Sequence, residues 1–227
     1  MKILKIFKHN WWVTFYLNFK VLPFKQAIKL PFDCYRGVVL TNLNGGVRIN
    51  AENIHRAMIK IGGRGSEMFP RTSTIIDIEG TVVFNGVAEL GCGSLLRVFK
   101  DGKVTFGDKV RIGAYTKVVC QESITFGSEV AISWESQVFD TNFHYMQDTI
   151  TGEKSTLTSP IVIGSYSWFG NRVNIMRGTI TPDYTIVASN SMTNKDYSNL
   201  PSNSLLAGIP AKLVKNNVKR MFEGVDL

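Results

Sequence analysis

The stretch IGSYSWFGNRVNIMRGTITPDYTIVASNSMTNK, residues 163–195, decides the fold. Marking every sixth position from its start selects Ile163, Phe169, Ile175, Thr181, Val187 and Thr193. The position after each mark holds Gly164, Gly170, Met176, Pro182, Ala188 or Asn194, mostly small or loop-compatible residues. An amphipathic helix repeats every ~3.6 residues and a half-buried strand every ~2, so neither gives this spacing. Corners that recur at a fixed interval do, and they predict a β-solenoid whose turns stack on one another.

Upstream the same register comes in blocks. Ile78, Phe84, Leu90 and Leu96 form one, Phe106, Ile112, Val118 and Ile124 the next, and Phe126, Ile132 and Val138 a third. The register slips between blocks, most visibly near Lys100-Asp101-Gly102-Lys103, which reads as an outward turn. Earlier, Val38–Leu40, Val47–Ile49 and Met58–Ile61 are short apolar runs separated by glycine-rich turns, the pattern of short strands. Between Val138 and Ile163 the repeat stops. The polar segment 140–160 reads as a loop excursion from a rigid body, a common place for function. After Leu200 turn residues accumulate, and Lys212–Phe222 is predicted as a helix covering the open end of the solenoid.

The expected organisation is therefore a basic, aromatic-rich arm over 1–37, a β-helix over 38–200 with its excursion at 140–160, and a closing segment over 201–227. Net charge is +8, concentrated in the arm, where Lys2, Lys5, Lys8, Lys20, Lys25, Lys29 and Arg36 face Asp33 alone. Residues 1–31 interleave these lysines with Trp11, Trp12, Phe15, Tyr16, Phe19 and several aliphatics, and predict one or two short helices broken near Pro23 and ended by Pro31. Such a stretch can lie on an anionic membrane surface, or pack its apolar side on the body or on a sister subunit. It contains no nucleic-acid-binding module. The apolar run Trp11–Leu17 is too short to span a bilayer and has no small-residue cleavage site, so a signal peptide is not expected. Cys34, Cys92 and Cys120 have neither metal-ligand nor redox spacing, and are expected to be buried free thiols in a reducing compartment.

Four local sequences resemble the hexapeptide-repeat acyltransferases. Ser167-Trp168-Phe169-Gly170 is similar to that family's Val-Trp-Ile-Gly. Val187-Ala188-Ser189-Asn190-Ser191-Met192, followed by Lys195-Asp196, is similar to its Ile-Gly-Ala-Gly-Ser-Val. Ala207-Gly208-Ile209-Pro210-Ala211-Lys212 matches its closing signature, and Asp140-Thr141-Asn142-Phe143-His144 opens the excursion where sugar and antibiotic O-acetyltransferases carry their catalytic histidine. The resemblance covers roughly residues 75–215. Met176-Arg177-Gly178 departs from the usual Leu-Pro-Gly, Thr181-Pro182 from an Ile-Gly pair, and Asn194 from a frequent Thr.

The resemblance implies an all-β fold, a left-handed parallel β-helix with three flat faces. It also implies a homotrimer with acetyl-CoA held between subunits. Carried over residue by residue, Trp168 would line the pantetheine or acceptor end, Ser189, Asn194 and Lys195 would lie along pantetheine and phosphates, and Lys212 and Lys215 would meet the adenosine phosphates. Ammonium groups suit that last role.

Acetyl transfer to a hydroxyl requires a base near neutral pKa and donors for the oxyanion. Of His9, His55 and His144, only His144 lies in a loop beside regular coils. Asp140 is either the carboxylate that orients it or a cap for the turn entering the loop. Cys92 and Cys120 fall within coils, so direct transfer in a ternary complex is expected, without an acyl-enzyme. A γ-class carbonic anhydrase would need three zinc-binding histidines, and no suitable set exists, so no metal is expected. The reading is a cytoplasmic saccharide O-acetyltransferase using acetyl-CoA, with a free or lipid-linked saccharide acceptor and a site at the inner membrane surface. The alternatives are another acceptor (a sugar-nucleotide amine, serine or an antibiotic) and a non-catalytic trimeric scaffold.

Overall fold

The structure is a computed structural model and describes residues 8–63, 70 and 72–221. Residues 1–7 of the arm, and Phe222 at the end of the expected terminal helix, lie outside that range. Among the described residues, strands visit three parallel sheets in turn. The first face runs from Phe32–Cys34 through Val110–Ile112 and Trp168–Phe169 to Ile186–Val187. The second runs from Val38–Leu43 to Met192–Thr193, and the third from Gly46–Ile49 to Ile180–Thr181. The chain is a left-handed parallel β-helix.

The marked positions point inward. Ile163, Phe169, Ile175, Thr181, Val187 and Thr193 are all buried, as are the residues of the three upstream blocks. The slips between blocks lie on the third face. There Val104 and Phe106 are both buried on one strand, and Ile124 and Phe126 on the next. The pairings Phe84↔Phe106 and Phe106↔Phe126 span longer steps than Ile163↔Thr181. Phe84, Phe106, Phe126 and Ile163 all stay buried across these steps, because each pairs in parallel register with the residue one coil away. The three phenylalanines build an aromatic column, with Phe84 on Phe106 at 4.9 Å and Phe106 on Phe126 at 5.3 Å between ring centroids.

The small residues after the marks serve coil stacking. A Cβ at Gly164 would sit 2.4 Å from the Pro182 carbonyl carbon, and one at Gly170 would sit 2.6 Å from the Ser189 nitrogen. The left-handed backbone at the first-to-second-face corner falls instead on Tyr115, Glu135, Arg172 and Asn190. A side chain in that region costs about 1–2 kcal/mol. Each of these residues donates its N–H to a carbonyl one coil below, from Tyr115 to Cys92 at 2.9 Å up to Asn190 to Asn171 at 3.0 Å, and these bonds hold the corner.

Both ends differ from expectation. The solenoid begins at Phe32–Cys34, inside the arm, because that strand pairs in parallel with Ile59–Gly63. Ahead of it, helices Trp11–Val21 and Phe24–Ala27 flank Pro23 as predicted. At the other end Lys212–Met221 contains no helix. Leu205–Gly208 adds a rung to the first face, and Ala211–Lys215 returns antiparallel to it. The Ala207-Gly208-Ile209-Pro210 turn reverses the chain, and the returning strand satisfies the edge that a helix would only have covered.

Candidate active site

The excursion leaves the corner between the second and third faces, between strands Gln137–Phe139 and Ile161–Ile163. It folds as a two-limbed arm. Bridges join Thr141 to Thr158 and Gln147 to Lys154, and Asn142 N–H donates to the Leu157 carbonyl at 3.1 Å. At the tip Asp148 Oδ1 accepts from Ile150 N and Thr151 N, both at 2.8 Å. These backbone donors hold its carboxyl below the usual carboxylate range. At the base Phe143 packs edge-on against Phe139 and Phe99.

Asp140 fixes where the arm starts. It is fully buried. Its Oδ1 accepts from Gln121 N at 2.8 Å, and its Oδ2 accepts from Glu122 N and Ser123 N at 2.8 Å and from Cys120 Sγ at 3.3 Å. These donors are the corner of the coil below. All four donors belong to the coil below and the carboxylate is shut off from solvent, so its bonds correspond to the capping role rather than to a contact with the exposed His144 ring. Beside it, burial first and the Asp140 charge second push the Cys120 thiol well above its ordinary value. Burial, then Asp33, pushes Cys34 up to about 12. Neither is poised as a nucleophile.

His144 stands on the outgoing limb, exposed, directly after Phe143 in the left-handed conformation. Among the described residues no hydrogen bond to its ring is found, in contrast to His9, whose Nδ1 lies 2.8 Å from Asp33 Oδ1.

The expected coenzyme residues separate into three cavities and the end of the returning strand. Trp168 and Ser189 line a groove of about 530 Å³ along the first-to-second-face corner, together with Trp134, Arg111, Asn171 and Arg220. Ser189 Oγ donates to Asn171 Oδ1 at 2.6 Å. Asn194 lines a cavity of about 450 Å³ with Asn142, Ser159 and Arg177, under the arm. Lys195 and Lys212 border a third, of about 220 Å³, near Tyr197. Lys215 ends the exposed returning strand. The arm and the Trp168 groove are thus on different corners of one chain.

Arg220 was not legible in the sequence. It follows the closing signature in a stretch with no motif, and only the path of the tail carries it back to the groove. Asn203 and Ser204 hold that tail, through Val218 N–H to the Asn203 carbonyl at 2.9 Å and Ser204 Oγ with Asn216 Oδ1 at 3.2 Å. The guanidinium then lies 5.4 Å from the Trp168 ring centroid. Burial, and next the nearby Arg111, lower its pKa. Arg111 and Arg220 line this groove together with Glu89, and a guanidinium over an indole face is a cation–π contact. Among the described residues no group of three His, Cys, Asp or Glu side chains is arranged to hold a metal.

No protein-family model matches the chain. It is 29% identical over 157 residues to WbbJ of Escherichia coli strain K12, named as a lipopolysaccharide biosynthesis O-acetyl transferase, a match spanning 64% of this chain and 78% of WbbJ. It is 30% identical over 120 residues to the polysialic acid O-acetyltransferase of Escherichia coli O1:K1, spanning 52% of this chain but only 38% of that protein. The fold superposes on the crystal structure of the polysialic-acid-specific acetyltransferase NeuO with a TM-score of 0.53 and 21% identity, covering 84% of this chain and 92% of NeuO. It also superposes on a variant of AntD, an N-acyltransferase from Bacillus cereus in complex with dTDP and coenzyme A, with a TM-score of 0.50 and 16% identity over 83% of this chain and 82% of AntD.

Proposed function

We propose that the chain is a hexapeptide-repeat acyltransferase that moves the acetyl group of acetyl-CoA to a saccharide hydroxyl, in the biosynthesis of a capsule, exopolysaccharide or lipopolysaccharide. The observation that carries this reading is His144, an exposed imidazole with no hydrogen-bond partner among the described residues, held out on an arm whose base is pinned by Asp140. The similarity to WbbJ and to the polysialic acid O-acetyltransferase supports a saccharide acceptor.

In this mechanism His144 Nε2 accepts the proton of the acceptor hydroxyl as its oxygen attacks the thioester carbonyl. The imidazolium then returns that proton to the departing CoA thiolate. The bond from oxygen to the acetyl carbon forms and the carbon–sulfur bond breaks, without an acyl-enzyme. Trp168 and Ser189 hold the pantetheine chain in the groove, Asn194 and Lys195 lie along it, and Lys212 and Lys215 meet the phosphates. The separation of these groups over different corners favours a homotrimer in which one subunit's arm reaches its neighbour's groove. The neighbour would then supply the acceptor that orients the His144 Nδ1 and a backbone N–H for the oxyanion. The acceptor is a free or lipid-linked saccharide, met on the cytoplasmic side of the inner membrane.

Thiol release from acetyl-CoA, measured across sugars, sugar nucleotides and lipid-linked oligosaccharides, tests the reading. Acceptor-dependent release with a new ester on the saccharide is the expected result. His144→Ala is expected to retain CoA binding by calorimetry and to lower kcat by roughly 10²–10⁴, the usual worth of a general base. Full turnover in that variant would remove His144 from the mechanism. Acetyl-CoA binding without release on any acceptor would favour a non-catalytic scaffold.

A further inference from the structure

The helix Trp11–Val21 buries polar residues beside Leu17 and leaves most of its aromatic residues outside. Its inward residues include Thr14 and Asn18, both buried. The Asn18 amide donates to the Phe32 carbonyl at 2.9 Å and accepts from Phe32 N–H at 3.0 Å, while Thr14 Oγ1 accepts from Cys34 N–H at 2.9 Å. The polar side of the helix therefore closes the open edge of the first solenoid strand. Its outward residues are Trp12, Phe15, Tyr16 and Phe19, the spacing of one continuous helical stripe. Trp12 is 87% exposed, and Phe24, at 70%, and Ile28 extend the apolar surface through the second helix. Lys20, Lys25 and Lys29 are exposed among them. From Lys8 to Phe32 the sequence contains no acidic residue.

We infer that this cap is a docking surface for an anionic lipid bilayer, with the aromatic stripe seated at the headgroup boundary and the lysines on the lipid phosphates. The chemistry matches on both counts. Trp and Tyr prefer such an interface, since each has an apolar body and a polar tip. Lysines bury their stems and keep the ammonium at the charged layer. A second copy is the poorer occupant, because pairing this face with itself sets lysine against lysine with no acid to answer it. Among the described residues no helix is long and apolar enough to cross a membrane, so the contact lies in the plane of the surface. The inference does not depend on the acetyl-transfer reading.

The test is co-sedimentation of the full chain with vesicles of phosphatidylcholine containing phosphatidylglycerol, against phosphatidylcholine alone. Binding to the anionic vesicles, weakened by salt, is expected. Lys20→Gln/Lys25→Gln/Lys29→Gln is expected to lower it on the order of a hundredfold, from the usual worth of a lysine at an anionic surface. Trp12→Gln/Phe15→Gln/Phe19→Gln is expected to abolish it with an unchanged melting temperature, since these side chains are exposed. No binding by the parent chain, equal binding to both vesicle types, or undiminished binding by the aromatic variant overturns the inference. So does an aromatic variant that changes the oligomeric state in light scattering, because the stripe would then be an interface between copies.

Discussion

Asp140→Asn separates a structural carboxylate from a catalytic one. The substitution keeps shape and removes charge. In the better amide orientation the oxygen still faces Glu122 N, Ser123 N and Cys120 Sγ, and the NH₂ group confronts Gln121 N–H. One charge-assisted bond is lost, worth about 1.5–3 kcal/mol, and a part-buried N–H is left unpaired at about 1 kcal/mol more. Release from burying a carboxylate offsets some of this. The expected net loss is about 2–3 kcal/mol. At ~2–4 °C per kcal/mol for a chain of this size, the melting temperature falls by roughly 5–10 °C. Scanning calorimetry reads that loss. Turnover per folded molecule, measured well below the transition, is expected to stay close to the parent value, because His144 is not held by this carboxylate. An unchanged melting temperature with a hundredfold loss of kcat would refute the reasoning and make Asp140 the partner of the catalytic imidazole.

Three further outcomes follow from the core and the thiols. Phe106→Ala removes the middle ring of a stack between Phe84 and Phe126; denaturant unfolding is expected to show a loss of about 3–5 kcal/mol. Cys120→Ser is expected to keep transfer activity, because the buried thiol donates to Asp140 and attacks nothing; loss of activity together with loss of a trapped acyl-enzyme would contradict this. Cys34 and Cys120 have folded pKa values raised from 9.0, to about 12 for Cys34. The unfolded chain therefore releases these protons first, and stability is expected to be fully present below pH ~9 and to decline as pH rises from there towards the folded values. Urea midpoints measured across that window check the sign, and a Cys34→Ala/Cys120→Ser variant should flatten the slope.

Two parts of the chain mark where sequence reading stopped. A helix over Lys212–Phe222, covering the open end of the solenoid, is the expectation from the sequence, yet Ala211–Lys215 pairs as a strand. Local pattern cannot register that Leu205–Gly208 offers an unpaired edge, and that edge decides the outcome. Asp140 stood open between two roles because a carboxylate four positions before a histidine is compatible with either. The choice rests on the N–H groups of Gln121, Glu122 and Ser123, which are adjacent only because one coil lies on the next.

The six-residue spacing by itself determined the solenoid, its inward residues and the place where the coils are interrupted, because corner and pleat geometry are local and repeat along the chain. It also determined which histidine stands at that interruption. Only the tertiary structure decided which corner each side chain occupies. It set the His144 arm on one corner and Trp168 with Ser189 on another, brought Arg220 from the tail into the groove, and turned the aromatic stripe of the first helix outward. Those facts depend on how many residues each coil inserts and on which polar groups close the ends, and no short window of sequence contains them.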